Sequence, residues 1–144
     1  FSDLTFGPGL VEVDAPTPGT QSCIWNAGVN LSSGTTVNIL KNLRIGPING
    51  STTLVNDGTM VMYGTGCRLY GSNHLTLQGA GSLVMGGDGD NYLELYDIKN
   101  NAPHTIQGGG TIGTHIINDS AFIAITAESR AAARFPWPTA PPLI

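Results

Sequence analysis

Hydrophobic and polar residues alternate in short runs along most of this chain, and no run of ten or more residues before position 120 keeps helical periodicity. The runs Thr35-Thr36-Val37-Asn38-Ile39-Leu40, Leu75-Thr76-Leu77-Gln78 and Leu93-Glu94-Leu95-Tyr96 set aliphatic side chains at alternate positions. Alternation sends one set of side chains inward and the other outward, which predicts strands. Gly, Asn and Asp recur between the runs and supply turn conformations. The strands are expected to be short, often three to five residues.

The runs also repeat. Asn56-Asp57-Gly58-Thr59-Met60-Val61-Met62 returns loosely as Asn118-Asp119-Ser120-Ala121-Phe122-Ile123-Ala124, an offset of 62. Gly79-Ala80-Gly81-Ser82-Leu83 returns as Gly108-Gly109-Gly110-Thr111-Ile112, an offset of 29, each after a Thr-apolar-Gln triplet. Degenerate repeats with variable spacing suit a solenoid, in which one turn cannot bury its apolar face alone and stacked turns build a common core. With roughly 20 to 25 residues per rung, residues 20–127 predict about five rungs. The expected fold is therefore all-β, a parallel β-helix (β-solenoid), with a β-sandwich as the alternative.

The segment His104-Thr105-Ile106-Gln107-Gly108-Gly109-Gly110-Thr111-Ile112-Gly113, followed by Asn118-Asp119 and an apolar strand, resembles repeats of large secreted bacterial β-helix proteins. These are the filamentous-haemagglutinin-like and autotransporter-passenger-like adhesins. Their repeats read His-Thr-Ile-x-Gly-x-Gly-x-Ile-Gly and then Asn-x-Gly-Thr-Ile; residues 54–62 fit the second half, and Ser120-Ala121 departs from it. The resemblance covers about residues 50–127. It implies a right-handed coil, an extracellular or cell-surface location, and a non-enzymatic structural or adhesive role. A carbohydrate-binding module and a fragment of a polysaccharide-active enzyme are the alternatives.

The two ends differ from the middle. Residues 1–19 hold Pro8, Pro16, Pro18 and three glycines, and are expected to cap the coil, with Leu10, Val11 and Val13 in an edge strand. In residues 128–144, Ser129-Arg130-Ala131-Ala132-Ala133 reads like adjoining cloning sites before a Pro-rich end. This tail is expected to be vector-derived or read-through sequence, or else a linker or cap.

Charged residues are only 11% of the 144, so solubility rests on Thr, Ser, Asn and Gly. The net charge is −4 with six Lys plus Arg and no basic patch, which argues against nucleic acid. No apolar run reaches the ~18 residues of a membrane span. Cys23 and Cys67 form neither a CxxC pair nor a framework, and are expected as one disulfide or two buried thiols. Expected partners are a host or matrix glycan or protein, and other copies through the open ends of the coil.

Three groups of residues carry candidate chemistry. Gly86-Gly87-Asp88-Gly89-Asp90-Asn91-Tyr92-Leu93-Glu94 resembles the calcium-binding nonapeptide of repeats-in-toxin proteins, which makes Asp88, Asp90 and Asn91 calcium candidates. Asn91 stands where that repeat has Asp, and the nonapeptide occurs once, so a polar turn is the competing reading. Tyr92, Glu94 and Tyr96 share a parity opposite to Leu93 and Leu95, which predicts an outward strip able to stack on a sugar ring. The remaining carboxylates are scattered, whereas a glycosidase needs two within roughly 5 to 9.5 Å, so no catalytic residue is assigned. His74, His104 and His115 lack metal-ligand spacing and are expected as turn or surface histidines, although neighbouring rungs could bring the last two together.

Overall fold

The computed structural model describes residues 3–14, 22–47, 50–71, 74–86, 91–119 and 122–125. The side chains of 22, 23, 118, 119 and 122–125 lie outside that description, as does the whole tail from residue 126.

Among the described residues the regular elements are strands. In chain order they are β1 (Leu4–Phe6), β2 (Gly9–Val13), β3 (Ser22–Trp25), β4 (Val29–Leu31), β5 (Thr35–Ile39), β6 (Asn42–Ile45), β7 (Ser51–Asn56), β8 (Thr59–Met62) and β9 (Arg68–Tyr70). They continue as β10 (His74–Gln78), β11 (Ser82–Met85), β12 (Tyr92–Glu94), β13 (Asp97–Asn101), β14 (Thr105–Gly108), β15 (Thr111–Ile112), β16 (His115–Asp119) and β17 (Phe122–Ile125). Every third strand joins the same sheet. The first sheet runs β1-β4-β7-β10-β13-β16, the second β2-β5-β8-β11-β14-β17, and the third β3-β6-β9-β12-β15. The strand pairs are parallel throughout, so the chain is an all-β solenoid.

Register sets the period. The column Thr36, Thr59, Ser82, Thr105 in the second sheet advances by 23 residues at each step. In the first sheet the column Val29, Leu54, Leu77, Asn100, Asn118 marks four turns over residues 20–127 rather than the five expected. Strands β1 and β2 pair in parallel with β4 and β5, so residues 4–13 belong to the first turn of the coil.

The core is a set of axial stacks. Val37, Met60, Leu83 and Ile106 pile up from the second sheet, and Leu43, Leu69, Leu93 and Ile112 from the third. All are buried, and together with Leu54, Leu75, Leu77 and Ile98 of the first sheet they form one cluster. Burial of an aliphatic side chain gives roughly 1.5–3 kcal/mol, and stacking alike residues repeats that gain at each turn.

The corners are closed by two devices. At the corner from the first to the second sheet, Gly58 and Gly81 leave no room for a side chain. A Cβ added at Gly81 would lie 2.2 Å from the Gly58 carbonyl oxygen. Buried asparagines supply the second device. Asn56 Oδ1 accepts the Gly58 N–H at 3.0 Å, and its Nδ2 donates to the Ser82 carbonyl at 3.0 Å. Each bond ties a corner to itself or to the next turn by pairing a backbone group there.

Candidate functional site

A solenoid wall alternates strictly, so the side chains opposite the core stacks form outward columns. On the third sheet one column is Arg44, Tyr70, Glu94 and the next is Arg68, Tyr92, Thr111. These columns hold the predicted strip. Tyr92 is half-buried and Glu94 exposed, with Leu93 and Leu95 buried between and beside them.

The strip is not one strand face. Strand β12 ends at Glu94, and Leu95-Tyr96 forms the bend into β13. Tyr96 is 68% exposed and lies at the corner between the third and first sheets. Its ring meets His74 edge-on, with centroids 4.8 Å apart. Tyr92 faces the other way along the wall, where the Arg68 guanidinium sits 5.1 Å from its ring centroid. The same guanidinium is 3.1 Å from Glu94 Oε2. Arg68 therefore links Tyr92 to Glu94, whereas the ring contact of Tyr96 is with His74.

The reason is register. Arg68 is the partner of Tyr92 in the turn below, and His74 that of Asp97. Neighbours one turn apart in a parallel stack lie ~4.8 Å apart, closer than residues i and i+4 along a strand. Sequence reasoning found Tyr92, Glu94 and Tyr96 but not Arg68, His74 or Asp97. A 23-residue offset applied to Tyr92 and Asp97 would have pointed to position 69, one residue from Arg68, and to position 74.

At the corner, His74 Nδ1 is 2.7 Å from Asp97 Oδ2, with His74 about half exposed. A carboxylate accepts, so Nδ1 donates to Asp97. Ser51 and His115 continue the same column on either side. What the arrangement offers is a mixed surface. An exposed aromatic ring lies beside an imidazole and its carboxylate, and a guanidinium–carboxylate pair lies on the third sheet.

The calcium candidates part company. Asp88 and Asp90 lie outside the described residues. Asn91 is fully buried, and its amide is turned inward. Oδ1 accepts the Cys67 N–H at 2.9 Å, and Nδ2 donates to the Met62 carbonyl at 3.1 Å and to the Gly86 carbonyl. Asn91 therefore closes the corner between the second and third sheets as Asn56 closes the one before it. No group of three His, Cys, Asp or Glu side chains is placed to hold a metal among the described residues.

His104 and His115 do not meet, because His104 is buried in the corner and His115 is exposed on the outer wall. His104 Nδ1 is 2.8 Å from Asn100 Oδ1, and Nε2 is 3.1 Å from Asn56 Nδ2. Burial holds its imidazole down to about 4, against an ordinary 6.5. Cys67 is a free thiol whose Sγ donates to the Ile39 carbonyl at 3.2 Å, and burial pushes its ionisation upward. The Cys23 side chain lies outside the description. No helix among the described residues is long and apolar enough to cross a membrane.

No family model, curated protein or solved structure matches this chain.

Proposed function

We propose that this chain is a non-enzymatic solenoid segment of a bacterial surface or secreted protein, and that its outer wall contacts a glycan. One observation carries the glycan reading: Tyr96, 68% exposed, stands beside the His74–Asp97 pair. A sugar ring presents an apolar face for an aromatic ring and a rim of hydroxyls for charged and polar groups. The parallel coil supports the structural half of the reading, since a stack of short strands is a stiff support for whatever its wall displays. The likeness of residues 104–113 to secreted β-helix repeats supports the location. The strands β1, β2 and β3 each stand at one edge of their sheet, which favours end-to-end association of copies.

A glycan array tests the reading. Specific signals are expected, weakened about five- to tenfold by Tyr96→Ala, as expected for ~1 kcal/mol of lost stacking. Tyr92→Ala acts through Arg68 and is expected to weaken them less. A silent array, or signals indifferent to Tyr96→Ala, removes the glycan reading.

A further inference from the structure

The corner that carries Tyr96 runs the length of the coil, and at its other end it holds a recess. A cavity of about 500 Å³ lies against the first three strands of the first sheet, β1, β4 and β7. Asp3, Asn26, Asn30, Pro47, Ser51 and Thr53 line it. That volume is in the range of small-ligand sites, and the lining offers a carboxylate, two amides and two hydroxyls around an apolar floor. The recess is shaped by a missing side chain. A Cβ at Gly28 would fall 2.5 Å from Asp3 Oδ1, so Gly28 is what lets the carboxylate lie against the corner.

The recess and the aromatic patch share an axis. Ser51 on the wall of the recess, His74 and Asp97 are consecutive members of one outward column. Asp97 follows Tyr96 directly in the chain. Two steps of the stack therefore separate the recess from the Tyr96 patch, about 10 Å along the coil axis. Between them the wall continues outward with Thr53, Thr76 and Lys99 in the neighbouring column.

We infer that this corner is an extended subsite track for a linear, uncharged glycan, lying along the coil axis with one sugar in the recess and another against Tyr96. The inference rests on the glycan reading and adds to it a chain class and a direction. Three features select the occupant. The polar groups recur at the rung spacing of ~4.8 Å, close to the rise of one sugar in an extended chain. Both anchoring ends offer hydroxyl-binding groups. Asp3 in the recess repels an anionic sugar at that end.

The test is a length series. Oligosaccharides of one to six units from β-1,4-glucan, β-1,3-glucan and chitin are titrated calorimetrically, with oligogalacturonates as the anionic control. For one neutral series, affinity is expected to rise with length to roughly three units, the span set by the rung spacing, and then level off. Thr53→Trp fills the recess, and Asp3→Asn alters it with little steric change. Each is expected to return the three-unit ligand to the affinity of the two-unit ligand, a loss of about tenfold, and to leave the two-unit ligand unchanged. Tyr96→Ala weakens both lengths. Affinity independent of length, or indifferent to both recess variants, overturns the track while the glycan reading stands. Preference for the oligogalacturonates, or binding of none of the neutral series, overturns it too, and the array then decides separately whether any glycan binds.

Discussion

Two corners of this coil use histidine and a short polar partner to opposite ends. Between the first and second sheets, His104 is fully buried and held between Asn100 and Asn56. Between the third and first sheets, His74 is half exposed and held by Asp97. In the first case every ring nitrogen and every amide is consumed by neighbours in the stack. In the second, the imidazole is about half exposed and Tyr96 beside it is largely exposed. The difference teaches that on a solenoid the side of the wall, more than the residue type, decides whether a polar group holds the coil or serves a ligand. Asparagine suits the inside because it donates and accepts without charge, so its burial needs only hydrogen bonds.

The largest effect expected from breaking this contrast is at Asn56. Asn56→Ala strips partners from the Gly58 N–H, the Ser82 carbonyl and His104 Nε2 at once. Unpaired buried groups cost about 1–3 kcal/mol each, and partial relaxation leaves about 3–4 kcal/mol in all. Urea unfolding should show the midpoint falling with little change in slope. A loss below about 1 kcal/mol would mean that water replaces the amide and that the corner is not sealed.

Acid should expose the same corner with a somewhat smaller effect. His104 binds a proton in the unfolded chain below about 6.5, but in the folded chain only below about 4. The unfolded state therefore holds more protons between those values, and stability rises with pH across that window. The contribution is fully present above about 7 and falls by about 3 kcal/mol as pH drops from 6.5 to 4. Below 4 this group adds no further loss. Chemical denaturation at a series of pH values measures the slope, and His104→Gln should flatten it. An unchanged slope in that variant would assign the acid sensitivity to the carboxylates instead.

The alternation in Thr35–Ile39 and His74–Gln78 showed strands, and the shortness of the runs pointed to a coil, because both signals are local. The register was less legible. The offset of 29 between Gly79–Leu83 and Gly108–Ile112 joins a first-to-second corner with a second-to-third corner, so it matches one corner to another rather than one turn to the next. The offset of 62 misplaces the last strand by one residue, since Met60 stacks through Leu83 and Ile106 onto Ile123, not Phe122. Core stacks accept Val, Leu, Ile and Met alike, so volume is kept while letters change, and the 23-residue period is blurred. The site was legible only along the strand. Tyr92 and Glu94 follow from parity, but the partners that define their surroundings, Arg68 and His74, come from the turn below. Asn91 could be read as a ligand because a buried, satisfied asparagine and an exposed, ligating one look the same in a sequence.

The smallest expected effect sharpens the comparison most. Double-mutant cycles on the two histidine pairs ask how strongly each is coupled to its partner. For His104 and Asn56, with the contact buried, Asn56→Ala and His104→Gln should show a coupling of about 1–3 kcal/mol. For His74 and Asp97, His74→Gln and Asp97→Asn should couple by less than about 1 kcal/mol, because solvent and salt screen the half-exposed histidine. The outer coupling should also shrink as salt is raised, and the inner one should not. If the His74–Asp97 coupling instead equals the inner one and ignores salt, the pair is part of the scaffold. The wall around Tyr96 would then lose its claim to be a surface set aside for a ligand.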